Sequence, residues 1–145
     1  MSEIQECIIL QGPPGSGKTT KANEIAARKR RNTVIISANS KCVDENGNYK
    51  FNPKDLQKNH LECIQEAIEH MKQGLSVIID NTNIYRKHCF PYVYFAHIYG
   101  IPIRFISLTT EFANIHNVPG YICDKMKNDL EELTIENVLG DYKLV

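Results

Sequence analysis

The chain has 145 residues, 42% of them hydrophobic, which suits one domain (1–145) built on a single buried core. Seventeen basic and seventeen acidic residues give a formal net charge of zero, so no global basic field advertises a nucleic-acid surface. Five cysteines without a C-x-x-C pair indicate neither a disulfide framework nor a zinc site, and they point to a reducing, cytoplasmic compartment.

Ile4 to Leu10 is predicted as a buried strand. Glu3 and Glu6 lie at its start, so no signal peptide is expected, and no apolar stretch reaches transmembrane length. The next residues, Gly12-Pro13-Pro14-Gly15-Ser16-Gly17-Lys18-Thr19, fit G-x-x-x-x-G-K-[ST], the phosphate-binding loop pattern. Lys21 to Arg30 reads as the helix that follows. Strand, glycine loop and helix together are the context the pattern requires. Gly12, Gly15 and Gly17 let consecutive N–H groups converge on an anion, and the helix aims its positive end at the same point. Gly12 to Thr20 are therefore the candidate nucleotide-binding residues: Gly12, Pro13, Pro14, Gly15, Ser16, Gly17, Lys18, Thr19 and Thr20. Lys18 reaches outer phosphates and the Thr19 hydroxyl suits Mg²⁺. A dinucleotide fingerprint fits less well, because Thr20 stands where its third glycine belongs.

Arg28-Lys29-Arg30-Arg31 closes the helix, where positive charge complements the dipole. A nucleic-acid contact is the alternative. Thr33 to Ser37 is predicted as the second strand. Residues 38–52 read as a loop, with Asn46-Gly47 as a tight turn. Asn52-Pro53 opens a long helix whose apolar stripe is Leu61, Ile64, Ile68 and Met71, closed by Gly74. Leu75 to Asp80 is a buried strand ending in a carboxylate. Tyr85 to Tyr99 is helical, with Pro91 marking either a kink or a start. Ile101 to Leu108 is the last strand and Tyr121 to Leu133 the last helix. Alternating strands and helices predict an α/β, three-layer P-loop NTPase fold, with a short parallel sheet covered on both faces.

Asp80-Asn81-Thr82-Asn83 falls at the carboxyl end of a strand, the edge where open α/β sheets bind ligands. Asp80 there can hold Mg²⁺ with Thr19, orient an attacking hydroxyl, or cap the next helix. No D-x-x-G and N-K-x-D pair is present, which argues against a GTPase.

In order and spacing, GPPGSGKTT, VIIS, DENGNYKFNP, VIIDNTN and NIHNVP resemble P-loop kinase domains of the polynucleotide 5′-hydroxyl kinase family. The resemblance runs from Ile8 to about Leu130. It implies transfer of the γ-phosphate of ATP, with Mg²⁺, to a 5′-hydroxyl of DNA or RNA, and catalytic roles for Lys18 and Asp80. In that family S-x-D-D follows the second strand and its first Asp takes the proton. Asn39 holds that place here, and an amide is no general base. The family's R-N-x-H-G-V-P carries a phosphate-clamping arginine, where this chain has Ala113. Asp80, Asp44 or His60 are candidate substitutes for the base, and Arg86 or Lys87 for the clamp. Two alternatives stand beside the kinase reading: a nucleotide-binding module with degenerate chemistry, and a small-molecule kinase of the same fold.

Overall fold

The computed structural model describes residues 4–13, 16–29, 32–38, 55–108, 125–126 and 128–140. Among the described residues four strands form one parallel sheet: β1 (Cys7–Gln11), β2 (Thr33–Ile36), β3 (Ser76–Ile79) and β4 (Ile103–Ser107), in the order β2-β3-β1-β4. Among the described residues it is accompanied by helices α1 (Lys18–Lys29), α2 (Leu56–Lys72), α3 (Arg86–Ile98) and α4 (Ile135–Gly140).

The apolar runs sort by period two onto the two faces of the sheet. Ile8 and Leu10 of β1 and Ile78 of β3 point to one face and pack with Ala22 and Ile25 of α1. Cys7, Ile9, Val77 and Ile79 point to the other, where α2, α3 and α4 cover them. Every residue of β1 and β3 is buried, as central strands of a covered sheet require. A fully buried Ile contributes about 1.5–3 kcal/mol, so these continuous apolar runs anchor the sheet. The expected three-layer architecture is the one observed.

Strand register follows from these faces. Cys7, Ile8 and Ile9 pair with Val77, Ile78 and Ile79, and on the other side Ile9 pairs with Phe105. The chain leaves β1 toward β2 on one side and leaves β3 toward β4 on the other. The gap between the carboxyl ends of β1 and β3 is therefore the topological switch point, where such sheets bind ligands.

Several element readings need correction. Helix α1 begins at Lys18, three residues before the predicted start, with Lys21 N–H donating to Gly17 O at 2.9 Å. On α2 the buried row is Asn59, Cys63, Ala67 and Met71, while Leu61 is 53% exposed. An i, i+4 row drifts slowly round a helix, and Leu61 lies about half a turn from it. Gly74 does close α2: its N–H reaches Met71 O at 3.1 Å and the Leu75 N–H reaches His70 O at 3.0 Å. Helix α3 starts at Arg86, so Pro91 sits within it rather than opening it. The predicted final helix ends early. Residues 130–134 are not helical, and α4 follows, with Thr134 Oγ1 accepting the Asn137 N–H at 3.0 Å as its cap. The Asn52-Pro53 start and the Asn46-Gly47 turn lie outside the described residues.

Candidate nucleotide and phosphoryl-transfer site

The phosphate-loop residues meet at the switch point because β1 ends there and α1 begins there. Gly12 is packed so closely that a Cβ would collide with the Leu108 carbonyl oxygen and with Ser16 Oγ. Gly17 has φ +91°, in the left-handed region that glycine tolerates. Ser16 Oγ is buried without a hydrogen-bond partner among the described residues. A buried hydroxyl with no protein partner, in a tightly turned loop at the N-terminus of a helix, fits an anionic ligand. Pro13 is buried, and its carbonyl accepts the Lys18 ammonium at 3.0 Å. Lys18 is itself buried, so its charge is held across the mouth of the loop. Pro14 and Gly15 lie outside the described residues. Because α1 begins at Lys18, both Thr19 and Thr20 fall in its first turn, and both are exposed.

Asp80 comes to the same place from β3. It is buried, and its Oδ2 accepts the Thr19 hydroxyl at 3.0 Å. This contact joins positions 61 apart in sequence. A hydroxyl and a carboxylate at hydrogen-bond distance, both oxygen donors, suit Mg²⁺, which takes one or two protein oxygens and fills its shell with phosphate and water. The helix-cap reading for Asp80 fails, since the N-cap position of α3 belongs to Tyr85.

The loop carrying Asp80 is held by side chains to which the motif by itself gives no role. Asn81 Oδ1 accepts the Ala38 N–H at 2.7 Å, tying the loop to the end of β2. Asn83 adopts φ +47° and its amide donates to Leu10 O at 2.7 Å and Asn81 O at 3.2 Å. Gly12 N–H donates to Thr82 O at 2.9 Å, so the two ligand loops are bonded directly. Asparagine tolerates left-handed backbone and bridges locally, and the two asparagines of D-N-T-N are the sequence signal for such a loop.

The remaining candidates separate. His60 and His88 sit on α2 and α3, and burial lowers both imidazoles below their usual range. Arg86 faces Glu131, Nε to Oε1 at 3.8 Å, and Lys87 lies over the Tyr85 ring at 5.6 Å to the centroid. Arg28 pairs with Glu24 at 2.7 Å and Lys29 with Glu6 at 2.8 Å, at the end of α1 remote from the loop. Arg104 on β4 faces outward and meets Glu6 at 3.4 Å. The basic end of α1 is thus partly neutralised by its own fold. Asn39, Asp44, Ala113, Arg30 and Arg31 lie outside the described residues.

A family model described as an AAA domain matches residues 7–116. The chain belongs to that family. Within it, this AAA domain is P-loop kinase-like and related to polynucleotide kinase. It is 34% identical over 145 residues to the bifunctional polynucleotide phosphatase/kinase of Schizosaccharomyces pombe, covering 99% of this chain and 31% of that protein. A solved structure of the Pnkp1/Rnl/Hen1 complex contains a chain that superposes with a TM-score of 0.60 at 23% identity, over 86% of this chain and 40% of that one. The APS kinase CysC of Mycobacterium tuberculosis gives a TM-score of 0.56 at 14% identity, over 95% and 99%. The domain spans well under half of the first two proteins and nearly all of the third. No helix among the described residues is long and apolar enough to cross a membrane.

Proposed function

We infer that this AAA domain binds ATP with Mg²⁺ and moves the γ-phosphate to a hydroxyl, with a DNA or RNA 5′ end as the favoured acceptor. The observation that carries the reading is the 3.0 Å contact between Thr19 Oγ1 and Asp80 Oδ2, set beside Lys18 at the switch point. Lys18 exchanges its bond to Pro13 O for the outer phosphates, and the N-terminus of α1 supports their charge. Thr19 and Asp80 hold the metal, which neutralises charge on the phosphate oxygens. Phosphoryl transfer depends mainly on positioning and electrostatics, so Asn39 in place of a carboxylate does not forbid transfer. The similarity to a polynucleotide phosphatase/kinase favours a nucleic-acid end over a sugar or nucleoside. A reducing compartment such as the cytoplasm suits the buried cysteines Cys7, Cys63 and Cys89, none of them in a disulfide among the described residues.

Asn39 and Ala113 favour a second reading, a nucleotide-binding module whose chemistry has decayed. One experiment separates the two. The protein is incubated with γ-labelled ATP, Mg²⁺ and a panel of 5′-hydroxyl DNA, 5′-hydroxyl RNA, nucleosides and sugars. Label on a 5′ end is expected; ATP binding with no labelled acceptor supports the module. Asn39→Asp adds a sign. In a decayed kinase it raises transfer, together with Ala113→Arg, by about a hundredfold or more. In an enzyme adapted to Asn39 it brings a carboxylate toward the phosphates and lowers the rate.

A further inference from the structure

The carboxyl end of β1 and the segment near residue 131 are stitched to the Asp80 loop by a set of bonds that the proposed chemistry does not use. Gln11 is the last residue of β1, directly before Gly12, and it is 4% exposed. Its Nε2 donates one hydrogen to Ile84 O at 3.3 Å and the other to Glu131 O at 2.7 Å. Glu131 returns two further bonds to the same junction. Its N–H donates to Ile84 O at 3.0 Å, and its Oε1 accepts the Arg86 N–H at 2.7 Å. Residue 131 therefore spends its N–H, its carbonyl and its carboxylate on residues 84, 86 and 11. Two residues away, Asp129 accepts the Tyr85 hydroxyl at 2.7 Å.

The placement matters because α3 needs a cap and has none of its own. Its N-cap, Tyr85, makes no side-chain cap bond, and its first turn carries Arg86, Lys87 and His88, the wrong sign for the positive end of a helix. The Glu131 carboxylate satisfies one of the orphan N–H groups and supplies the missing negative charge. The Asp80 loop is thus fixed at both ends. Asn81 and Asn83 hold it to β2 and β1, and Glu131 fixes the start of α3 into which it runs. Gln11 then locks that junction to the strand that leads into the phosphate loop.

We propose that Gln11 and Glu131 are positioning residues: the clasp they form holds Asp80 in register with Thr19, so that the metal-linked part of nucleotide binding depends on it. This inference rests on the reading of Thr19 and Asp80 as metal-holding residues. Displacements of about 1 Å at such a site are costly, so residues that set register have effects without touching the ligand.

The test uses the whole chain and two measurements. Calorimetry gives ATP affinity in EDTA and in Mg²⁺, and the ratio is the Mg²⁺ increment. Hydrogen exchange follows the amides of residues 80–86, with α1 as the internal control. Gln11→Glu replaces a double donor by an acceptor facing two carbonyls. It should reduce the Mg²⁺ increment about tenfold while leaving the EDTA affinity intact. Exchange at 80–86 should quicken, and α1 should not change. Glu131→Ala should do the same more weakly, and Glu131→Gln, which keeps an acceptor for the Arg86 N–H, should restore most of the increment. These last two variants carry the test if Gln11→Glu fails to fold. A folded Gln11→Glu or Glu131→Ala protein with wild-type increment and wild-type exchange at 80–86 overturns the clasp. A wild type with no Mg²⁺ increment sinks the metal reading instead; faster exchange at 80–86 then still supports the clasp's hold on the loop, and unchanged exchange overturns it.

Discussion

The two loops that face each other across the switch point are built by different means. The phosphate loop is made from backbone. Its tight corner is Gly12, its left-handed residue is Gly17, and its charge comes from Lys18 inside the motif itself. The Asp80 loop is made from side-chain amides that reach far along the chain: Asn81 to Ala38, Asn83 to Leu10, Gln11 to Ile84. A loop of the first kind carries its instructions within eight residues. A loop of the second kind exists only once the sheet has formed. Damage should therefore act locally on the first and through the whole scaffold on the second.

Asp80→Asn gives the largest expected effect and tests what the scaffold is for. The amide is nearly isosteric, so folding and metal-free ATP binding should persist. Turnover should fall about a hundredfold, on the scale of removing one preorganised electrostatic partner from a transition state. A folded mutant that turns over at the wild-type rate would reduce Asp80 to a structural carboxylate. Asn83→Ala comes next and attacks the scaffold itself. It leaves the Leu10 carbonyl buried without its amide and places a residue other than Asn at φ +47°. A loss of about 2 kcal/mol is expected in denaturant unfolding.

Lys18→Ala is the matching change in the backbone-built loop. Removing a cation that faces two phosphates should weaken ATP binding about tenfold, or roughly 1.4 kcal/mol, with little change in the unfolding midpoint. Asn83→Ala should show the opposite balance, a large loss of stability beside a small loss of affinity. If Lys18→Ala destabilises the fold as much as Asn83→Ala does, the two loops are not built differently after all.

The same contrast explains what the sequence discloses. The motif from Gly12 to Thr19 is legible because every part of it is local, and the strands are legible because β1 and β3 are buried on both faces and read as continuous apolar runs. Asp80 can be placed at a strand end, and D-N-T-N stands out. The roles of Asn81 and Asn83 cannot be read, since each depends on a carbonyl or N–H more than 40 positions away. Leu61 falls into the predicted stripe of α2 because periodicity fixes spacing but not which row faces the core. The final helix is overrun for a related reason. Residues 130–133 have adequate helix propensity, but the Glu131 backbone is claimed by Ile84 and Gln11, and tertiary bonds override propensity. Thr134 with Glu136 behind it is an available start signal for α4.

The smallest expected effect is a pH dependence confined to one of the two regions. His60 on α2 and His88 on α3 both have imidazoles pushed below 6.5, chiefly by burial. His88 is further lowered by Lys87 and by His60, and pulled back slightly by Glu131. A histidine whose folded pKa is depressed binds fewer protons in the folded state than in the unfolded one. Its contribution to stability is therefore present above pH 6.5 and is lost as pH falls through the folded value. One such proton changes stability by at most about 1.4 kcal/mol per pH unit. His60 is only part-buried and His88 is exposed, so solvent screening leaves a fraction of that. Unfolding should thus become easier as pH falls below about 6.5, and His88→Gln should flatten the slope while keeping a polar side chain at the head of α3. The phosphate loop contains no comparable group among its described residues, so metal-free affinity for a non-titrating anion such as sulfate should change little over the same range. A slope of stability that survives His60→Gln and His88→Gln together would assign the acid sensitivity elsewhere, and an equal loss of anion binding would show that the backbone-built loop is not independent of the side-chain scaffold.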